Sequence, residues 1–346
     1  MCGHMVNNCS VSVSSFINVV LIAKGIGICL VVFSHYIPFD SPEYWVLSRD
    51  IVYKFHMPLF FLLSGYLYKG YSGGYINHVM NKSKRLALPF FSIALLFLVI
   101  KGIASSVVGM DNPITNNSIL QVITCPINSY MPLLWFIYTL FFIFLLYPLL
   151  ERVLSENYLI LILSLLMLAI PISLGGCLNS FVKNFPYFCA GVLIARYFYL
   201  DDDWGYKRAF SGLVICIVLF LAVFKYINVS SEANWFLFRF RDLFLGLIGI
   251  AVVIQLSNLI NSFNAVVPAR VFKSFGYYSM SIYLFHTLFE SGARHIFYQA
   301  FDPDLFGFEF KAVVSIMFGI LFPLLLEKYI LRKTKLSRVF ILGLKK

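Results

Sequence analysis

Lys24 and His35 are the residues on which chemistry is most readily built in this chain. They bracket an apolar run, Gly25-Ile26-Gly27-Ile28-Cys29-Leu30-Val31-Val32-Phe33-Ser34. Eleven positions is close to three turns, so on a helix both side chains lie on one face, about 16 Å apart along the axis. If that helix crosses a bilayer, a cation sits in one leaflet and an imidazole near the opposite surface. Ionisable groups in such places are costly and mark candidate functional positions. Two readings of His35 stand side by side: an interfacial histidine bonded to a loop carbonyl, or a general base poised near neutral pH. Lys24 is either a packed, snorkelling cation or a contact for an anionic or carbonyl group inside a cavity.

Other stretches add candidates. Tyr53-Lys54-Phe55-His56-Met57-Pro58 runs on to Ser64-Gly65. Pro58 in mid-span predicts a kink, which is tolerated where a helix lines a cavity. Ser64-Gly65 offers a small surface for close helix approach, and His56 reads as structural when taken alone. Lys82-Ser83-Lys84-Arg85 is either an ordinary positive-inside cluster or a phosphate clamp, with Arg85 suited to bidentate contacts and the lysines acting as point charges. Ser281 to His286, including Tyr283, leads to Glu290 and Arg294. His286, Glu290 and Arg294 are spaced i, i+4, i+8 and share a helical face. Glu290 there either neutralises Arg294 or orients a histidine. Arg239, Arg241 and Asp242 carry the same ambiguity. Arg49, Lys101 and Lys183 lie near predicted helix ends, where they can snorkel without any function.

The elements that must position these groups follow from composition. Of 346 residues, 60% are hydrophobic, 18% aromatic and only 12% charged, against about 25% charged in soluble domains. Mean hydropathy is +0.84. These values exclude a water-facing globular domain and indicate a polytopic, all-α membrane protein. The net charge of +11 does not point to nucleic acid, because the basic residues fall between apolar runs of spanning length.

A spanning length of about 20 residues predicts ten helices, at 15–36, 49–69, 86–106, 132–152, 157–174, 180–200, 208–228, 236–260, 277–299 and 309–331. With the N-terminus placed in the cytoplasm, internal connections and the C-terminal end hold seventeen Lys and Arg, from Lys69 to Lys346. External connections hold two, Lys225 and Lys311. That asymmetry supports the orientation, with both termini cytoplasmic. No cleavable signal peptide is expected, since the first fourteen residues lack a positive stretch. The external connections at 37–48 and 107–131 carry no Lys or Arg, and the second is long enough to be a lid or binding element. One membrane domain over 1–346, with no appended soluble domain, is expected. The seven cysteines show no C-x-x-C spacing, so no metal site is expected. Cys125 and Cys177 both fall in predicted external connections; whether they pair is left open, because connectivity cannot be read from sequence.

Taken together, these residues resemble the membrane-bound acyltransferase-3 family, bacterial inner-membrane proteins that O-acylate surface polysaccharides and related glycans. Lys24 to His35 is similar to the family's basic-x10-His signature, although many members carry Arg where this chain has Lys24. Phe55-His56-Met57-Pro58-Leu59-Phe60-Phe61-Leu62-Leu63-Ser64-Gly65 resembles F-x-M-P-x-F-F-x-x-S-G, and Arg85-Leu86-Ala87-Leu88-Pro89 resembles R-L-x-x-P. Leu134-Trp135-Phe136 and Ser281-Ile282-Tyr283-Leu284-Phe285-His286 resemble looser later motifs.

The resemblance implies transfer of an acyl group, usually acetyl, from cytoplasmic acetyl-CoA (acyl-CoA) to a hydroxyl of a surface polysaccharide or lipid-linked sugar. It implies His35 as general base or acyl carrier, with Lys24 beside the donor path. Lys82, Lys84 and Arg85 are then expected at the CoA phosphates. His56, Ser64, Tyr283, His286 and Glu290 are expected to support or line the cavity. Acyl-CoA enters as a substrate, and no tightly bound cofactor is expected. Localisation to the bacterial inner membrane, possible envelope-biosynthesis partners and no nucleic acid follow from the same resemblance. A transporter or exporter of a glycan or small acylated molecule is the alternative, since broken helices and intramembrane charges fit it too; no pair of related halves is detected.

Overall fold

The computed structural model describes residues 3–70, 74–104, 113–171, 175–197, 205–227, 229, 234–263, 266–300 and 306–344. No strand occurs among the described residues. The helices in chain order are α1 (Gly3–His35), α2 (Glu43–Tyr53), α3 (His56–Tyr66), α4 (Tyr75–Lys82), α5 (Leu88–Ala104), α6 (Asn116–Thr124), α7 (Trp135–Leu154), α8 (Asn157–Ala169), α9 (Gly176–Tyr197), α10 (Tyr206–Tyr226), α11 (Trp235–Ser262), α12 (Val266–Tyr277), α13 (Ser279–Ala300), α14 (Phe308–Leu326) and α15 (Lys335–Phe340). A π-helical turn, Ser83–Ala87, joins α4 to α5, and a second, Glu327–Leu331, follows α14.

Six stretches among the described residues are long and apolar enough to cross a membrane. They are Ile17–His35, Tyr75–Ile103, Pro132–Leu154, Tyr206–Tyr226, Trp235–Ser262 and Phe308–Leu331. In bilayer hydrocarbon every backbone polar group must be satisfied within the chain, and helices do this within a single segment. The chain is therefore an all-helical, multi-pass membrane protein. The other four expected spans differ from these for identifiable reasons. The 49–69 segment is divided between α2 and α3, and α8 has only 13 residues, about 20 Å of rise. Helices α9 and α13 have 22 residues each but carry polar side chains, including Asn184 on α9 and His286 and Glu290 on α13, all buried inside the protein.

The chain forms two compact units. The first comprises Met1–Leu63 and Ile194–Leu325. Its central element is α1, which packs against α2, α11, α12 and α13, while α10 pairs with α11. Only 11% of the apolar stretch in α10 is buried inside the protein, so its outer face is the one suited to lipid. The α1–α12 crossing is exceptionally close. A Cβ on Gly25 would stand 2.0 Å from the Phe272 carbonyl oxygen, and one on Gly276 would stand 2.0 Å from that of Leu21. Two glycines facing each other let the backbones touch.

The second unit comprises Ser64–Leu193 and Leu326–Lys346. Tyr68, Phe144, Tyr147 and Phe188 interlock as its aromatic core, with ring centroids 5.2–6.3 Å apart. Gly65 lies against the Phe188 backbone, the close approach expected of Ser64-Gly65. Within the long 107–131 connection the structure places α6. Its start is a capping box: Ser118 N–H donates to Thr115 Oγ1 at 3.0 Å, and Thr115 N–H donates to Ser118 Oγ at 2.8 Å. The start of that connection, 107–112, lies outside the described residues. Cys125, just after α6, is disulfide-bonded to Cys177 at the start of α9.

Candidate functional site

The first unit gathers three histidines from three separate segments. His35 ends α1, His56 opens α3, and His286 lies in the second turn of α13. The His35 ring centroid is 5.0 Å from that of His286 and 6.4 Å from that of His56, both edge-on. His56 and His286 are 1% and 0% exposed.

Local helix chemistry orients each ring. His35 Nδ1 lies 2.8 Å from the Val31 carbonyl, and His56 Nδ1 lies 2.9 Å from that of Val52. His286 Nδ1 lies 2.9 Å and 3.0 Å from the Tyr283 and Ile282 carbonyls. A carbonyl oxygen only accepts, so Nδ1 carries the proton and donates in each ring. The neutral imidazole then keeps its lone pair on Nε2. The Nε2 atoms of His56 and His286 are buried with no hydrogen-bond partner. His35 thus has the tautomer a general base requires. Among the described residues no His, Cys, Asp or Glu cluster could hold a metal ion.

The α2–α3 break places His56. Pro58 lacks an N–H and would leave the Lys54 carbonyl unpaired in a continuous helix. The chain instead breaks at Lys54–Phe55, and Pro58 falls in the first turn of α3, where proline is tolerated. The expected distortion is therefore present, but it sits ahead of the proline. At the end of α2 the Val52 carbonyl accepts from Phe55 N–H at 3.1 Å as well as from His56. Lys54 turns aside to Asp242 on α11, with Nζ 3.1 and 3.3 Å from its two carboxylate oxygens. Asp242 also accepts from Arg241 at 3.1 Å. Arg239 is buried, with its guanidinium 4.1 Å from the Trp235 ring centre. The Lys54–Asp242 pair ties the break to α11, and the contacts of Arg241 with Asp242 and of Arg239 with Trp235 lie within α11 itself.

Helix α14 closes one wall. A Cβ on Gly319 would lie 2.9 Å from Val32 Cγ1 and 3.4 Å from both Glu290 Cβ and the His286 carbonyl oxygen. Glu290 is 5% exposed, and its Oε2 is buried without a partner. Arg294 instead points Nη1 at the Ile37 carbonyl, 3.5 Å away. Neither contact considered for Glu290 forms among the described residues: no ion pair joins it to Arg294, and no hydrogen bond joins it to His286. Tyr283 is buried, its ring 6.4 Å from that of His286. Lys24 is half-buried beside the α1–α12 crossing, and no ion pair holds it among the described residues.

Aromatic residues roof the His35 end of α1. Trp45 of α2 lies 4.6 Å from Phe33 and 5.1 Å from Phe308, and its Nε1–H donates to the Tyr36 carbonyl at 3.0 Å. Tyr44 donates to Glu309 at 2.5 Å, and Lys311 pairs with Asp40 at 3.5 Å. The 37–48 connection is thereby pinned to the start of α14. Sequence reasoning passed over Trp45, Arg49 and Tyr53 as site residues. The one signal was Tyr53-x-x-His56, an i, i+3 spacing that puts both side chains on one helical face.

The remaining candidates belong to the second unit. Lys82 lies over the Phe144 ring, 3.3 Å from its centre. Lys84 and Arg85 are exposed on the π-helical turn, with the Arg85 backbone against Gly343. Ser64 is half-buried on α3.

The family profile described as "Acyltransferase domain", of the acyltransferase-3 type, matches residues 20–328. Nodulation protein NolL of Mesorhizobium japonicum (strain LMG 29417 / CECT 9101 / MAFF 303099) is 30% identical over 203 residues. That alignment covers 56% of this chain and 52% of the relative, so the match spans about half the relative's length. No solved structure gives a significant match. With the profile running from the start of the α1 span, through all three histidines, to the end of α14, the chain belongs to the acyltransferase-3 family.

Proposed function

We propose that this acyltransferase moves an acyl group, most simply acetyl, from cytoplasmic acyl-CoA to a hydroxyl of a cell-surface or lipid-linked glycan, with His35 as the base. The observation that carries the reading is the His35 ring itself, whose Nδ1–H is committed to the Val31 carbonyl. Its Nε2 takes the hydroxyl proton as the oxygen attacks the thioester carbonyl. The new C–O bond forms, the C–S bond breaks, and the departing thiolate is protonated to free CoA. Attack by Nε2 on the thioester first, giving an acyl-histidine, is the other order of the same bonds.

In this reading both termini are cytoplasmic and the chain crosses the inner membrane ten times, as one membrane domain. The apolar helices supply six spans, and α2–α3, α8, α9 and α13 supply the rest from within the protein. The Cys125–Cys177 bond supports placing both connections on the outer, oxidising side, where disulfides persist. Lys82, Lys84 and Arg85 hold the CoA phosphates on the inner side, Lys24 lines the donor path, and Tyr283 lines the cavity.

The test is to express wild type and His35→Ala at equal membrane levels in a bacterial host lacking the gene. Base-labile O-acetyl on extracted glycan is then measured by NMR. Acetyl with wild type and none with His35→Ala is expected. Equal acetylation in both refutes the role of His35, and none in either removes the glycan acceptor and brings transport forward.

A further inference from the structure

Arg49 and Tyr53 are positioned for a task that the catalytic reading leaves unassigned. They are one turn apart on α2, the guanidinium carbon 5.7 Å from the Tyr53 ring centre. Tyr53 is 43% exposed. Its ring also meets both histidines next to the chemistry, 4.9 Å from His56 and 6.1 Å from His35. The Arg49 side chain is 21% exposed, and its Nε is buried with no acceptor. Its one ionic contact among the described residues is Asp50 at 3.2 Å, whose side chain is 54% exposed. The neighbouring cation, Lys54, is already committed to Asp242. Trp45 and Tyr44 anchor the other end of α2 to Tyr36 and Glu309, so the Arg49–Tyr53 face is held in place before any ligand arrives.

A half-exposed aromatic ring offers a flat apolar face, with a polar tip, to the C–H face of a pyranose. A guanidinium offers a planar fork matched to a carboxylate or phosphate. A buried N–H without a partner is costly, and an arriving anionic oxygen removes that cost. We propose that Arg49 and Tyr53 form the acceptor subsite, taking a sugar ring on Tyr53 and an anionic oxygen of that sugar on Arg49. The subsite rests on the acyl-transfer reading for the identity of its ligand as acceptor. The anionic oxygen comes from a uronate carboxylate or from the phosphate of a lipid-linked sugar.

The test uses the full chain in lipid nanodiscs, without donor, and measures binding by saturation-transfer NMR. The probes are methyl glucoside, methyl glucuronide and glucose 1-phosphate. At least one anionic probe is expected to bind about fivefold or more tighter than the neutral one, a difference of about 1 kcal/mol. Preference for the glucuronide assigns a uronate, and preference for glucose 1-phosphate assigns a sugar phosphate. Arg49→Gln is expected to abolish the preference while acetyl-CoA binding is retained, which shows that the variant is folded. Tyr53→Ala is expected to weaken all three probes, and Tyr53→Phe to weaken them less. Equal binding of the three sugars, no binding of any, or a preference that survives Arg49→Gln overturns the subsite. Because no acyl transfer is measured, failure here is separate from failure of the O-acetyl test: a preference without transfer refutes the enzyme reading and leaves the site, and transfer without the preference does the reverse.

Discussion

Substituting Gly25 by alanine tests whether the backbone contact between α1 and α12 holds the site together. The new Cβ would stand 2.0 Å from the Phe272 oxygen and 2.7 Å from its carbonyl carbon, where ordinary contact begins near 3.4 Å. Backbone atoms cannot rotate aside, so the helices must shift by roughly 1 Å, which forfeits a quarter to a half of the contact energy of the atoms concerned. Overpacking of this kind costs about 1–3 kcal/mol, and more when no side chain can yield. Alanine recovers only about 1 kcal/mol through its higher helix propensity. A net loss of about 2 kcal/mol is expected, or about 3 °C in apparent melting temperature for a chain of this size. The assay is the thermal midpoint of detergent-solubilised protein, followed by size-exclusion fluorescence. Gly102→Ala serves as the control, since nothing lies within 4 Å of a Cβ there. Gly27→Ala, which meets the end of the Leu59 side chain at 2.7 Å, is expected to fall between the two. Acyl transfer is expected to fall with Gly25→Ala even at temperatures where the protein stays folded, because α12 leads directly into the helix that carries His286. A Gly25→Ala protein that melts at or above the wild-type temperature refutes the reasoning.

Other perturbations follow from the same structure. Closing a 52-residue loop, the Cys125–Cys177 bond is expected to contribute about 4 kcal/mol through the entropy of the unfolded chain. Cys125→Ser with Cys177→Ser is therefore expected to lower the melting midpoint, and an unchanged midpoint argues against the bond. Lys54→Ala and Asp242→Ala, with side chains about a quarter exposed, are expected to show a coupling of about 1 kcal/mol or less in a double-mutant stability cycle. A coupling of zero means that the helix break is held by packing alone. Glu290→Gln keeps the shape of a buried side chain whose Oε2 has no partner. Its stability is expected to stay within about 1 kcal/mol of wild type, while the initial rate of acyl transfer falls. Wild-type rates from that variant remove Glu290 from the site.

The amino-acid sequence by itself determined the class of the protein, because an apolar content of 60% with 12% charge leaves a bilayer-spanning helical chain as the workable solution. It also placed Lys24 and His35 on one face, since helical periodicity is local and needs no partner. Gly65 was legible as a close-approach position because small side chains let backbones meet, and Cys125 and Cys177 as an open pair from their predicted connections. Tertiary structure decided what depends on residues distant in the chain. Pro58 signalled a distortion, but the break fell at Lys54–Phe55, where Asp242, nearly two hundred positions on, receives the lysine. His56 and His286 looked structural or ambiguous alone; packing of α3 and α13 against α1 brought them to His35. The i, i+4, i+8 spacing left Glu290 open between an ion pair with Arg294 and orientation of a histidine, yet the carboxylate is buried with Oε2 unpartnered while Arg294 turns to the Ile37 carbonyl. Arg49 and Tyr53 went unread because a helix-end arginine and a tyrosine are ordinary in sequence. Their setting comes from the roof that pins α2 over the end of α1. Spacing along one helix fixes which side chains can share a face, and only the packing of several helices fixes what that face meets.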